Sequence, residues 1–285
     1  MSFRTLLRSD AAFPPLLHAI HDPPDVLWIR GTADLDALAR PAVAVVGARA
    51  CSAYGRAVAR AIAREAAGSG LVVVSGLARG IDAEAHRGAL EGGGLTVAVL
   101  GCGIDRDYPA AHAELAQRIV RSGGLIVSEY APGTEPAPWR FPARNRIIAG
   151  LTQSTVVIEA RERSGALITA DFALEEGREV GVVPGEITSA LSAGTNALLR
   201  VGATPITAFT DVLEPFGLDP AKPGEATQRT EHEGRVLAAL TEGAASPDQI
   251  ARVTGYSASA VASALAGLEL AGAVHEGDGL YRVMT

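Results

Sequence analysis

Lysine is almost missing from this sequence: Lys222 is the one lysine, and every other basic residue is arginine. Lys222 lies in "DPAKPGEATQ", a stretch with Pro and Gly that reads as a linker. That placement disfavours Schiff-base catalysis and a Walker-A site, which needs a lysine after its glycine loop. Cysteine is scarce as well. Cys51 and Cys102 lie far apart and show no close Cys/His spacing, so neither a disulfide framework nor a structural metal is expected, and both read as small buried residues in a reducing cytosol. Long apolar runs and a secretory leader are lacking too, so a soluble, cytoplasmic protein with no membrane partner is expected. Nor is there an excess of positive charge: 25 Lys and Arg residues stand against 32 Asp and Glu, a formal net charge of −7. Any grip on nucleic acid must then come from a focused groove, because net attraction will not supply it.

What is present is a repeated α/β pattern. "VAVV" (43–46), "LVVV" (71–74), "LTVAVL" (95–100), "LIVS" (125–128), "TVVIEA" (155–160) and "EVGVV" (179–183) are short apolar runs rich in β-branched residues. Each is followed by a turn and a longer helical segment, near 54–67, 81–91, 110–121, 143–151 and 166–176, with a last sheet helix around 197–213. Apolar runs that do not alternate, interleaved with helices, indicate parallel strands buried on both faces. The expected fold is a Rossmann-like, doubly wound parallel sheet over 41–216, preceded by an irregular N-terminal arm (1–40) with one edge strand. A linker (217–229) leads to a small winged-helix domain (230–285). In it, Ser246, Pro247 and Gln249 spell a helix start with a capping box, and Gly255 separates two helices.

In an open parallel sheet, ligands bind beyond the carboxyl ends of the strands, where glycine turns gather backbone N–H groups. Here those turns are "VVGARACSAYG", "VSGLARGIDAEAH", "LGCGIDRDYP", "RFPARNRIIAGL", "EARERSGALITAD" and "VPGEITSALSAGTN". Together they read as an extended anion-binding surface. A dinucleotide site is disfavoured because Arg106 takes the third glycine position of the GxGxxG pattern. No catalytic residue is assigned, no cofactor is implied, and no metal set is evident. Asp82 and His86, at i,i+4 spacing, read as a helix-start acceptor and a packed histidine.

The same turns, in this order, resemble the bacterial DNA-processing protein A family (DprA, also called Smf), from "VAVVGARACSAYG" through "FPARNRIIAGL" to "GTNALLRVGA". Even "FPPLLHAIHDPPDVLWIRG" is similar to that family's lead-in. Many members carry a helical domain ahead of it, where about ten residues stand here. The resemblance implies a homodimeric, non-catalytic protein that binds single-stranded DNA, protects it and helps load the recombinase RecA in natural transformation. Phosphates would then be held by Gly47, Arg49, Ser75, Gly76, Gly80, Arg140, Arg144, Asn145, Arg146, Ser164, Gly165 and Thr169, and bases would stack on Tyr108, Trp139 or Phe141 unless those rings are core. The arginines pairing with acids such as Glu129 and Glu159 is the competing explanation. A different functional class, a nucleotide or sugar-phosphate hydrolase with Glu159 or Asp171 as general base, uses the same strand ends. Duplex DNA is not an expected partner of the winged helix, since "SASAVASALAGLELAG" has no basic or amide side chain to read a base edge.

Overall fold

The computed structural model describes residues 3–218, 231–240, 243, 245–270, 273–277 and 279–283. The chain divides into two compact units at residue 222. Most of the linker expected over 217–229 lies outside the described residues; Gly217, with φ +61°, ends the last helix of the first unit.

The first unit is a nine-stranded sheet with helices on both faces. Its strands are β1 (Arg4–Leu7), β2 (Val26–Arg30), β3 (Ala42–Val46), β4 (Val72–Ser75), β5 (Thr96–Val99), β6 (Leu125–Ser128), β7 (Ser154–Val157), β8 (Glu179–Val182) and β9 (Thr204–Pro205). They lie in the order β1-β2-β6-β5-β4-β3-β7-β8-β9. From β6 across to β9 every pairing is parallel. β3 is central. The chain steps outward from it through β4, β5 and β6, then returns to β7 on its other side, so the order reverses between β3 and β7, where such sheets bind ligands. β3 to β7 are buried at every position, as the runs without alternation predict.

The helices are α1 (Pro15–His18), α2 (Ala53–Gly68), α3 (Ile81–Glu91), α4 (Ala113–Arg121), α5 (Arg140–Gly150), α6 (Gly165–Glu175) and α7 (Ala193–Arg200). One core joins Leu17 and Ile20 of the arm to Ile147 and Ile148 of α5 and Ala170 of α6. A second sets Val58 and Ile62 of α2 and Ile81 and Ala85 of α3 against Val43, Val45 and Val73. α4 packs Leu115 and Ile119 against Leu100 and Ile126.

Three expectations need correction. The arm supplies two strands instead of one. β2 pairs antiparallel with both β1 and β6, and its Leu27 and Ile29 are fully buried, so the arm is part of the sheet. Gly150 makes this close fit feasible, because a Cβ there would stand 2.8 Å from Leu17 Cδ1. The helix expected around 197–213 is broken: α7 ends at Arg200, β9 follows, and a 3-10 helix spans Phe209–Phe216, with Val212 and Leu213 buried in the core of this unit. Finally, Cys102 is buried but Cys51 is half-buried.

The second unit has α8 (Glu231–Leu240), α9 (Pro247–Thr254), α10 (Ala258–Leu270) and an antiparallel hairpin of β10 (Val274–Gly277) and β11 (Leu280–Val283). Ser246 accepts from Gln249 N while the Gln249 side chain accepts from Ser246 N, and Gly255 ends α9 at φ +73°. Val236, Ile250, Val261, Leu265 and Val274 form its core.

Candidate functional site

A cleft of about 290 Å³ opens at the β3/β7 reversal. Its walls are the loop after β3 (Gly47 to Ala50), the turn after β7 (Arg161, Arg163, Ser164), the start of α6 (Gly165, Thr169), α5 (Phe141, Arg144, Asn145) and Asp82 of α3. The two loops are tied together. Ala48 N donates to Glu159 O (2.8 Å), and Ser52 donates to the Glu159 carboxylate through both its backbone N–H (2.9 Å) and its hydroxyl (2.5 Å). Both oxygens of Glu159 are therefore engaged in holding the loop. Ser52 in turn caps α2 by accepting from Gly55 N.

The helix expected near 143–151 starts three residues earlier, so Arg140 belongs to it as well. α5 begins at Arg140, so Arg144 and Arg146 lie inside it and point to different surroundings. Arg144 is only 3% exposed. Its Nη1 donates to Gly76 O (2.8 Å) and to Val99 O, while its Nε has no partner among the described residues. Burial lowers its pKa to about 10 against the pull of Asp82, which still leaves it a cation at neutral pH. Asp82 Oδ2 accepts from Gly76 N (3.1 Å) and Ala78 N (3.3 Å); burial pushes this carboxyl up, and Arg144 opposes the shift.

Arg146 has another role. It makes a forked pair with Glu129 (2.7 Å to each oxygen) and reaches Asp22 of the arm (2.9 Å), so its charge is matched within the fold. The expectation that Arg146 holds phosphate is corrected accordingly. Ser75 is also removed from the site, since it is fully buried and donates to Val45 O (2.7 Å). Gly76 and Gly80 lie behind the cleft wall: a Cβ on Gly80, at φ +76°, would fall 2.3 Å from Ala48 O. Arg140 turns away, donating to Glu135 O and covering Trp139 and Tyr130.

Of the sequence-predicted residues, the fold brings Gly47, Arg49, Arg144, Asn145, Ser164, Gly165, Thr169 and Phe141 into one cleft. Asn145 donates to Gly165 O (3.0 Å), joining α5 to the start of α6. Phe141 stacks on Tyr108 with ring centroids 5.2 Å apart, and the Arg49 guanidinium lies 5.4 Å from the Phe141 centroid. Trp139 is 62% exposed but lies outside the cleft lining. Sequence reasoning missed Arg161 and Arg163. Both are exposed at the cleft, and like Arg49 they form no salt bridge among the described residues. The signal was within reach, because they precede Ser164 in a turn already read as anion-binding.

Asp82 and His86 do not form a metal pair: His86 is fully buried and its Nδ1 meets Thr96 Oγ1 at 2.7 Å. Asp171 is exposed and lines a separate depression between α6 and α7. No described helix is long and apolar enough to cross a membrane.

Comparison with known proteins agrees with this architecture. The family model for DNA recombination-mediator protein A matches residues 4–217, and that for the DprA winged helix domain matches residues 220–279. A putative DNA processing protein DprA of Mycobacterium tuberculosis is 45% identical over 269 residues, 92% of this chain and 69% of that protein. Protein Smf of Escherichia coli is 38% identical over 97% of this chain and 76% of its own length. The X-ray structure of DNA processing protein A from Streptococcus pneumoniae superposes with a TM-score of 0.70 at 45% identity, covering 75% of this chain and 74% of that one. A Helicobacter pylori DNA processing protein A, whose structure describes a single-stranded DNA binding mode, superposes at 0.68 with 31% identity, covering 76% of this chain and 96% of that one. With matches running through both units, the chain belongs to the DNA recombination-mediator protein A family.

Proposed function

We propose that the first unit binds single-stranded DNA across the carboxyl ends of its parallel strands, and that the protein is a recombination mediator. It protects incoming strand and helps load RecA during natural transformation, acting as a homodimer. The observation that carries the DNA reading is the cleft at the strand-order reversal. There Arg144 keeps its charge in a buried position while Arg49, Arg161 and Arg163 form no salt bridge among the described residues. Guanidinium groups left without carboxylates are the groups suited to forked contacts with phosphate oxygens. The Helicobacter relative supports the same ligand. Nothing in this arrangement reads base edges, so binding without sequence preference is expected, with stacking on Phe141 as the contact to a base.

The hydrolase reading requires a free general base. Glu159 is occupied by Ser52, and Asp171 lies off the cleft, which favours the binding reading. In the second unit, the exposed positions of α10 among the described residues are Ala258, Ser259, Ala262, Ser263, Ala266 and Glu269, a poor surface for a major groove.

The test is fluorescence anisotropy of labelled poly-dT against a duplex competitor of equal length over a salt series. Four arginine contacts predict a slope of log K on log salt of about −3, falling to about −2 for Arg163→Ala. Absence of single-strand binding by the folded wild type would sink the reading.

A further inference from the structure

A second aromatic group lies outside the cleft. Trp139 and Arg140 stand at the start of α5, and Tyr130 follows β6. The Arg140 guanidinium lies 4.9 Å from the Trp139 ring centroid and 5.0 Å from that of Tyr130, and the two rings meet edge to face at 6.5 Å. Arg140 also donates to Glu135 O, which keeps it against the rings. Even with these neighbours Trp139 is 62% exposed. Leaving so much apolar ring in water is unfavourable, and a ligand that covers it gains that burial. The acids of this loop are already taken, since Glu129 pairs with Arg146 and Glu135 with Arg106. Arg140 itself forms no salt bridge among the described residues. The group is therefore an open indole backed by an unmatched positive charge.

Along the sheet edge the strands run β7-β3-β4-β5-β6. Arg161 and Arg163 follow β7, Arg49 follows β3, and Tyr108, stacked on Phe141, follows β5. Tyr130 follows β6, so the second group is the next step along the same edge. From β7 to β6 there are four strand spacings, roughly 20 Å at about 4.8 Å each, a length that a short run of nucleotides covers. A strand seated in the cleft that leaves it past Phe141 reaches Trp139 next. Bases stack on an exposed ring whatever their sequence, and a cation on that ring favours the polyanion that carries them. Resting on the single-strand reading above, we propose that Trp139, backed by Arg140 and flanked by Tyr130, is a second base-stacking platform outside the cleft. It takes a base of the same strand beyond the one on Phe141 and so lengthens the bound footprint. Arg140 is then a positioning residue for the indole, which accounts for its turning away from the cleft.

The experiment uses the full chain with labelled oligo-dT of about 4 and about 12 nucleotides, the shorter enough for the cleft and the longer enough to pass it. Two signals are read, the anisotropy of the label and the tryptophan emission of the protein. The chain has two tryptophans, and the other, Trp28 on β2, packs against the core. The longer oligonucleotide is expected to quench wild-type emission at saturation, and the shorter to leave it nearly unchanged. Trp139→Ala should abolish the quenching, weaken the longer oligonucleotide by at least about fivefold and leave the shorter within about twofold; Trp139→Phe should bind the longer within about threefold of wild type. Retained binding of the shorter one shows a folded variant with an intact cleft. Where Trp139→Ala does not fold, Trp139→Phe and the difference in wild-type quenching between the two lengths decide. Unchanged affinity of Trp139→Ala for the longer oligonucleotide overturns the proposal, as do an equal loss for both lengths and wild-type emission that ignores both. Failure of folded wild type to bind either length would instead remove the single-strand reading itself, so the two failures are distinguishable.

Discussion

Arg144 and Asp82 flank the α-carbon of Gly76. A Cβ built there would lie 2.6 Å from both terminal guanidinium nitrogens and 2.6 Å from Asp82 Oδ2. Gly76 is the space between a buried guanidinium and a buried carboxyl group. Replacing it with alanine forces one of them out of place, and neither can move without losing its bonds to Gly76 itself. Gly76→Ala is expected to lower stability by about 1 to 3 kcal/mol, measured by denaturant titration, and to weaken poly-dT binding in the molecules that remain folded.

Arg146 and Arg144 should part company on mutation. Arg146→Ala leaves Glu129, whose side chain is 16% exposed, without its forked partner and frees Asp22 of the arm. A loss of about 2 kcal/mol in unfolding free energy is expected, with poly-dT affinity per folded molecule within about threefold of wild type. Arg144→Ala should instead lower affinity by at least about tenfold. Equal losses of affinity in the two variants would contradict this division of labour.

Acid should find a specific weak point at His86. The Thr96 hydroxyl donates to Val73 O (2.7 Å), so its oxygen is the acceptor toward His86, and His86 Nδ1 carries the proton. The other ring nitrogen, Nε2, is buried with no partner among the described residues, and protonating it would bury an unmatched charge. Burial holds the pKa at about 3 against an ordinary 6.5, with Arg144 opposing the charged form as well. For a folded pKa below the unfolded one, stability is fully present above 6.5 and is lost as pH falls toward 3. At pH 4.5 the loss from this group should be about 2 to 3 kcal/mol, and His86→Leu should remove that part of the difference between pH 7 and pH 4.5.

The second unit offers a local test. Ser246→Ala deletes the hydroxyl that accepts from Gln249 N at the start of α9. A loss of about 1 kcal/mol is expected in the unfolding of that unit, followed by circular dichroism, with poly-dT binding by the first unit unaffected.

Much of the architecture was legible because its causes are local. The β-branched runs of β3 to β8 and the start of α9 at Ser246, Pro247 and Gln249 are patterns within a few residues, and the structure places each of these elements where its pattern lies, with the run at 155–160 ending three residues early, at Val157. The glycine turns were legible for the same reason, as was their gathering at the carboxyl ends of parallel strands, which follows from topology once the α/β alternation is read.

Which arginine does what was not legible, because that depends on partners far along the chain. Arg144 meets Gly76 across 68 positions, and Arg146 meets the arm at Asp22 across 124. The sequence alone determined strands β3 to β8, the helices between them and a strand-end surface rich in arginine. Only the tertiary structure decided that the arm completes the sheet, that Arg146 is neutralised by Glu129 and Asp22, and that Arg161 and Arg163 join Arg49 and Arg144 around one cleft. The physical reason is that a charge is matched or left free by whatever the fold places within a few ångströms, and spacing along the chain does not encode that distance.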